Sequence, residues 1–511
     1  MSQALQVIGG IAAAGAAAVV LLGPDRRLRA VAMLAALILS LALVAGQAWN
    51  GQLAALRDSP LKLIALAAVA VLGIGALAAL GDRRPELLPL GLLAMLPFRI
   101  PVAAGGETSN LLLPLYAVIT AGIVLECRRA FAAPAAARPE PARGGPARWL
   151  ALALAATIGL YALQTIYSSD VERATQNIAF FFVPFALMFA MLRDAEWTPG
   201  LLKTALLIVL VEGVVIAAIG VVQHQSHHIF WNAKAMQSNE FDLNFRVNSL
   251  FYDPNIYGRY LALTLIVGTA ALLWVRDARR FAVGVAALAM IFAGLALAFS
   301  QTSFFALLAG LAVLVALRWS LGWTAIAVGA VALAALIVVV FFSSSTIEVK
   351  SGSGNALDQT TSGRTRLASG GLKLARDHPL AGFGSGSFAV EFGKRNPLAR
   401  REAAVSHTEP ITIAAEQGAV GIAAYLALLA TSVAVLLTGL RRIAPGLGGF
   451  PDGGGVAGVT RIAVAAAFAG LFVHTLGYAG FLTDPLTWAL LALASALSVR
   501  AAAVVPGQQP S

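Results

Sequence analysis

Charge is the scarcest commodity in this chain. Only 12% of its 511 residues are Asp, Glu, Lys or Arg, about half the roughly 25% of an ordinary soluble domain. With a mean hydropathy of +0.80, that composition excludes a soluble globular protein. Cysteine is nearly absent: the single Cys127 rules out an intrachain disulfide and any zinc or iron–sulfur centre built on cysteine, and leaves the redox compartment open. No two aspartates stand at i and i+2, so a metal–carboxylate sugar-nucleotide site of the DxD kind has no support. Basic residues exceed acidic ones by 36 to 25. In a membrane protein that excess follows from Lys and Arg retained in cytoplasmic loops, and no nucleic-acid partner is expected.

What the chain has instead is apolar runs of 18 or more residues, each able to cross a hydrocarbon core roughly 30 Å thick. The fold class is therefore an all-α polytopic membrane protein with about 12–15 transmembrane helices. Fifteen candidate spans fall at about 4–22, 30–47, 61–80, 86–98, 110–126, 149–167, 176–192, 203–222, 256–275, 281–299, 304–317, 321–342, 410–438, 462–480 and 485–499. Counted alternately, they place the basic clusters around Arg26, Arg83, Arg128, Arg276, Arg318 and Arg441 on one side. By the positive-inside rule that side is the cytoplasm, with the N-terminus outside and the C-terminus inside. The first span has no charged segment before it and no small-residue cleavage site, so it is expected to be a retained helix.

The expected organisation is N-terminal helices over 1–85, first core helices over 86–129, and an Ala/Pro/Arg cytoplasmic linker over 130–148. A transmembrane core over 149–342 carries an exterior loop at 223–255. A large extracytoplasmic loop follows at 343–409, then C-terminal helices over 410–500 and a cytoplasmic tail over 501–511. The linker (AFAAPAAARPEPARGGPAR) has too little to bury and is expected to be disordered, as is the Ser/Thr/Gly-rich start of the large loop. Within that loop, Arg364 to Asp377 predicts an amphipathic helix with Leu367, Leu372 and Leu374 on related faces, stopped by Pro379. A glycine-spaced turn, GFGSGSF, comes next.

Histidine is rare, and five of the six (His224, His227, His228, His378, His407) fall in the two exterior loops, with His474 alone inside a span. A base near neutral pH therefore has candidates on the outer face. His407 sits where the large loop re-enters the membrane, close to any lipid-linked substrate. The QHQSHH cluster lacks the ligand set that zinc normally takes, and no metal is assigned to it. Among arginines, whose guanidinium forks bind phosphate oxygens, Arg246 precedes the FYDPN turn and Arg364 opens the loop helix, beside free N–H groups that also favour an anion. Arg259 lies just inside a span, where snorkelling to the interface is the simpler reading. Arg366 and His378 are further loop candidates. Glu212 and Glu416 are carboxylates inside spans, a position that marks either function or pairing.

Three segments together resemble one family. SHTEPITIAAEQGAVGIAAYLALL is similar to the His... Glu-x-Gly-x-x-Gly re-entry motif of the O-antigen ligase and polymerase superfamily. RVNSLFYDPNIYGRYLAL resembles its Arg... Phe-x-x-Pro-Asn segment, and SGRTRLASGGLKLARDHPLAGFGSGSF its Gly-Arg... His-Pro-x-x-Gly-x-Gly loop. The pattern departs from the family at Thr408, where Asn is frequent, and in SQTSFF, where an arginine often follows Thr-x-Ser. The resemblance covers about residues 240–430 and implies a C-type glycosyltransferase (GT-C) architecture in a bacterial inner membrane, inverting and without a cofactor or metal. It further implies an undecaprenyl-pyrophosphate-linked glycan as donor and a lipid or glycan acceptor, among membrane lipids. His407 would engage the acceptor hydroxyl, Arg246 and Arg364 would bind the pyrophosphate, and Glu416, Arg259, Arg366 and His378 would support them. A polymerase joining lipid-linked repeats uses the same donor chemistry, and a transporter drawing on Glu212 and His474 stands as the alternative of a different class.

Overall fold

The computed structural model describes residues 2–48, 59–104, 107–132, 144–230, 245–320, 364–396, 406–450 and 452–503, together with 236, 239, 322, 324–326 and 329. Most of the 130–148 linker, the 321–342 span, residues 343–363 and 397–405 of the large loop, and the tail from 504 lie outside the described residues.

The chain is a bundle of helices: α1 Gln3–Leu22, α2 Arg26–Ala48, α3 Pro60–Arg83, α4 Leu87–Ala94, α5 Leu113–Ala132, α6 Pro146–Leu163, α7 Val171–Asp194, α8 Pro199–Ser226, α9 Pro254–Leu272, α10 Ala278–Leu297, α11 Gln301–Arg318, α12 Arg364–Asp377, α13 Phe388–Arg395, α14 Glu409–Leu437, α15 Gly455–Thr475 and α16 Pro485–Ala503. Among the described residues, ten helices are long and apolar enough to cross a membrane, and the apolar stretch of α16 is shorter. The protein is a multi-pass membrane protein. Start signals are local. Thr198, Asp253 and Asp277 cap α8, α9 and α10 by accepting hydrogen bonds from backbone N–H groups within the first turn, and Pro follows the first two at the position where its missing N–H is harmless.

Two departures from the sequence-based spans have clear causes. Over 86–98, Pro85, Pro89, Pro97 and Pro101 limit helix to the eight residues of α4, about 12 Å and too short to cross alone. A two-stranded antiparallel hairpin, Ile100–Ala104 with Glu107–Leu111, interrupts the otherwise helical chain there. The second concerns α9, which is 19 residues long but, with its polar first turns, not among the ten helices apolar enough to cross. It lies at the centre, packed by α8, α10, α11 and α15, with Tyr257 to Ile266 almost wholly buried. Surrounded by protein and not by lipid, it can carry polar side chains that find partners.

Ion pairs gather several of the basic clusters at one end of the bundle. Arg26 reaches Glu126 at 3.2 Å, Arg29 pairs with Asp194, Arg128 pairs with Asp82, and Arg129 lies 3.8 Å from the same carboxylate. At the opposite end the helix pair α12–α13 lies on α14. Leu367 and Leu374, seven residues apart on one face, join Phe388, Phe392 and Ala415 in a small core. Leu372, five residues from Leu367, falls off that face and is exposed. Arg395 clasps the two helices by pairing with Asp377 at 2.9 Å and Glu391 at 3.0 Å. Burial pulls the Glu391 carboxyl upward, but Lys394 and Arg395 hold it below the ordinary glutamate range.

The loop is locked to the membrane helices through a break in α14. Gly418 has φ 64° and ψ −158°, a conformation open essentially to glycine alone. The backbone groups freed by the break bond to the loop: Ala419 N–H donates to Pro379 O at 2.8 Å, Val420 N–H to Leu380 O at 3.2 Å, and Gly384 N–H donates to Glu416 O at 2.8 Å. Glu416 completes the clasp by accepting from Gly386 N–H at 2.9 Å and Phe388 N–H at 3.1 Å. Gly382, also at positive φ, passes so close that a Cβ would sit 2.3 Å from Glu416 backbone atoms. Gly418→Ala is expected to lower stability by about 1–3 kcal/mol from the backbone alone, plus the clash of its Cβ 2.4 Å from Leu380 backbone. Thermal unfolding in detergent checks this against Gly73→Ala, which meets nothing within 4 Å and should be neutral.

Candidate functional site

At the loop end, four connections converge on Arg259: the start of α9, the α10–α11 turn, the α15–α16 connection and the start of α14. Arg259 is only 2% exposed. Its guanidinium pairs with Asp484, donates from Nε to His474 Nδ1 at 3.2 Å, reaches the carbonyls of Gly480 and Tyr478 at 3.4 Å, and lies 5.5 Å over the Tyr478 ring. An arginine cannot accept, so His474 Nδ1 must be the lone-pair nitrogen. The proton then sits on Nε2, which faces Ser303 Oγ at 3.2 Å and Thr302 Oγ1 at 3.4 Å.

From there the polar chain runs on. Ser303 Oγ donates to Ser300 Oγ at 2.9 Å, Ser300 Oγ to Asn255 Oδ1 at 2.9 Å, and Arg246 Nη2 reaches the same oxygen at 3.4 Å. Arg246 is fixed further by Nε donating to Ala298 O at 3.2 Å and by a reciprocal pair of bonds with Asn239. On the other flank, His407 occupies a left-handed turn, φ 63°, immediately before α14, with its ring 6.0 Å from that of Tyr478. Glu409 anchors this turn to the α15–α16 connection by accepting from Gly480 N–H at 2.6 Å. Burial, and then the Asp253 carboxylate that takes its hydroxyl hydrogen bond, push the Tyr478 phenol well above its ordinary range against the pull of Arg259. Tyr478 therefore stays a neutral wall between the histidine and the arginine.

A second cation shares the carboxylate. Arg99, between α4 and the hairpin, has its Nε buried without a hydrogen-bond partner among the described residues. Burial pulls it below the ordinary arginine range, Asp484 counteracts, and Arg259 adds to the depression. Two arginines thus share the field of Asp484, with the Asp253 and Glu409 carboxyl groups on the flank of the same cluster.

The expected site residues divide accordingly. Arg246, Arg259 and His407 are brought together. Arg364 is the first residue of α12, and its side chain lies outside the described residues. Arg366 is exposed on the same helix, and His378 packs its ring 4.2 Å from Phe383 within the loop. Glu416 acts on the loop backbone and not on the arginine cluster. The snorkelling reading of Arg259 is wrong, because the side chain runs into the protein where Asp484 and His474 receive it. Among the described residues, no group of three or more His, Cys, Asp or Glu is placed to hold a metal ion. His224 faces Phe245 O at 3.2 Å, and His227 caps α8. Asp484, Tyr478, Asn255 and Ser303 escaped the sequence reading. The available signal was an intramembrane arginine and an intramembrane histidine, each needing a partner.

Residues 286–426 match the family model described as O-antigen ligase. That stretch runs from α10 through the large loop and across the break in α14, and it supports membership of the O-antigen ligase and polymerase superfamily. No curated protein matches the chain. Over that stretch the chain is similar to membrane glycosyltransferases of the O-antigen ligase or polymerase type. Arg246, Arg259, His474 and Asp484 lie outside the matched stretch, yet it is their network that His407 adjoins.

Removing one member of a buried ion pair strands the other, at about 3–5 kcal/mol. Asp484→Asn removes the ion-pair partner of Arg259 and the favourable field on Arg99 together, whereas Arg259→Gln leaves Asp484 with Arg99 nearby. Asp484→Asn should therefore destabilise more in thermal unfolding, and an equal or reversed order would contradict the shared carboxylate.

Proposed function

We propose that the protein transfers a glycan from undecaprenyl pyrophosphate to an acceptor hydroxyl at the extracytoplasmic face of the bacterial inner membrane. The acceptor oxygen attacks the anomeric carbon as the bond to the phosphate oxygen breaks, so one displacement inverts the centre and the electron pair leaves on undecaprenyl pyrophosphate. His407 takes the acceptor proton. Arg246 and Arg364 are assigned to the pyrophosphate, where charge grows most as the bond breaks, and arginine supplies the counter-charge that a metal would otherwise provide. The observation that carries this reading is the single polar chain from Arg246 to Arg259, whose Tyr478 flank meets His407. It supports a base and phosphate-binding cations acting beside one another at the end where the large loop lies.

A ligase hands the glycan to a separate acceptor, and a polymerase to another lipid-linked repeat. Seating two lipid-linked chains calls for two large exterior domains. Here one exterior stretch of 67 residues, 343–409, dominates one of 33, 223–255, which favours the ligase.

Purified protein given undecaprenyl-pyrophosphate glycan should transfer it only when an acceptor is supplied; growth of a glycan ladder from donor alone would identify a polymerase. In the same assay His407→Ala, Arg246→Ala and Arg364→Ala should each lower transfer by about 10²–10³-fold, with membrane insertion intact. His228→Ala should transfer nearly as well as the unmodified protein, and undiminished transfer by His407→Ala would refute the assigned base.

A further inference from the structure

The bundle contains a second feature, away from the arginine cluster, that transfer does not explain. A cavity of about 790 Å³ opens among α8, α9, α15 and α16, within the range of ligand-holding cavities. Its wall is almost wholly apolar from the Tyr260 end downward, and its charged residues, Lys203, Arg276, Arg318 and Asp452, sit at the other end. On α15 the lining runs from Gly455 to Ala467, about 18 Å of helix. That is close to one leaflet's share of a hydrocarbon core roughly 30 Å thick.

The charged end is unbalanced. Neither Lys203 nor Arg276 nor Arg318 forms an ion pair or hydrogen bond with a described residue, whereas Asp452 already accepts from Gly454 N–H at 3.1 Å. Arg318 lies 5.2 Å over Trp274 and 5.7 Å over Trp319. This stacking fixes the guanidinium but leaves its Nε, and the Trp274 Nε1, buried without a hydrogen-bond acceptor among the described residues. A guanidinium held in place by stacking and two further cations at the mouth of a one-leaflet-deep apolar cavity call for an anion with a hydrocarbon tail. Basic recesses between membrane helices are where acidic headgroups bind.

We propose that this cavity binds an anionic phospholipid, its phosphate among Arg318, Lys203 and Arg276, and its acyl chain lying along α15 toward Tyr260, with the Trp274 ring in its wall. The site does not depend on the transfer reading, and its test does not use transfer. Full-length protein in detergent is titrated with phosphatidylglycerol or phosphatidylcholine carrying brominated acyl chains, and the quenching of Trp274 is taken as the difference between the unmodified protein and Trp274→Phe. Saturable quenching by phosphatidylglycerol is expected, with half-saturation raised about fivefold in each of Lys203→Gln, Arg276→Gln and Arg318→Gln. Lys203 and Arg276 are exposed side chains, so their variants keep the test valid if Arg318→Gln fails to fold. Equal binding of phosphatidylcholine, unchanged binding in the Lys203 and Arg276 variants, or displacement of the lipid by undecaprenyl phosphate alone would overturn the proposal.

Discussion

The pairing of Arg259 with Asp484 is the constraint on which the loop end of this protein depends. A guanidinium on the central helix cannot be left unpaired at 2% exposure, because an isolated buried charge costs far more than the fold can spare. Satisfying it draws in the α15–α16 connection through Asp484, Gly480 and Tyr478, and the end of α15 through His474. His474 in turn fixes the α10–α11 turn through Ser303, and that turn holds Asn255 and Arg246. Four connections that are distant in sequence are thereby registered against each other by one charge.

The large loop is positioned by different physics. Its helices share a small apolar core, but what fixes them to the bundle is backbone hydrogen bonding to a helix broken at Gly418. In a membrane protein, freed backbone groups are tolerated only where protein satisfies them, and residues 379–384 do so. The two glycine-spaced motifs, one in the loop and one in α14, are therefore the two halves of a single joint. Glu416 is its polar fastener: its carboxylate takes two loop N–H groups. The turn carrying His407 begins the same helix, so the joint and the histidine are rigidly related.

Much of this protein is legible in its sequence because a bilayer imposes a simple rule. Apolar runs of sufficient length become helices, and the spans at 4–22, 203–222 and 281–299 correspond to α1, α8 and α10. The loop helix Arg364–Asp377, with its stop before Pro379, follows from local stereochemistry. The rule fails where prolines shorten a run, as in α4, and it undervalues α9, whose neighbours are protein.

Arg246 and His407 are visible in sequence as motif members, since each lies in a segment of recognisable spacing. Sequence by itself determined the membrane-embedded helical class and the presence of an arginine and a histidine inside apolar spans. Only the tertiary structure decided their partners. Asp484 is 225 positions from Arg259 and Tyr478 is 219, and no local periodicity links them. A buried charge specifies that it must be neutralised, whereas the identity of the neutralising group depends on which helix ends the packed bundle brings together.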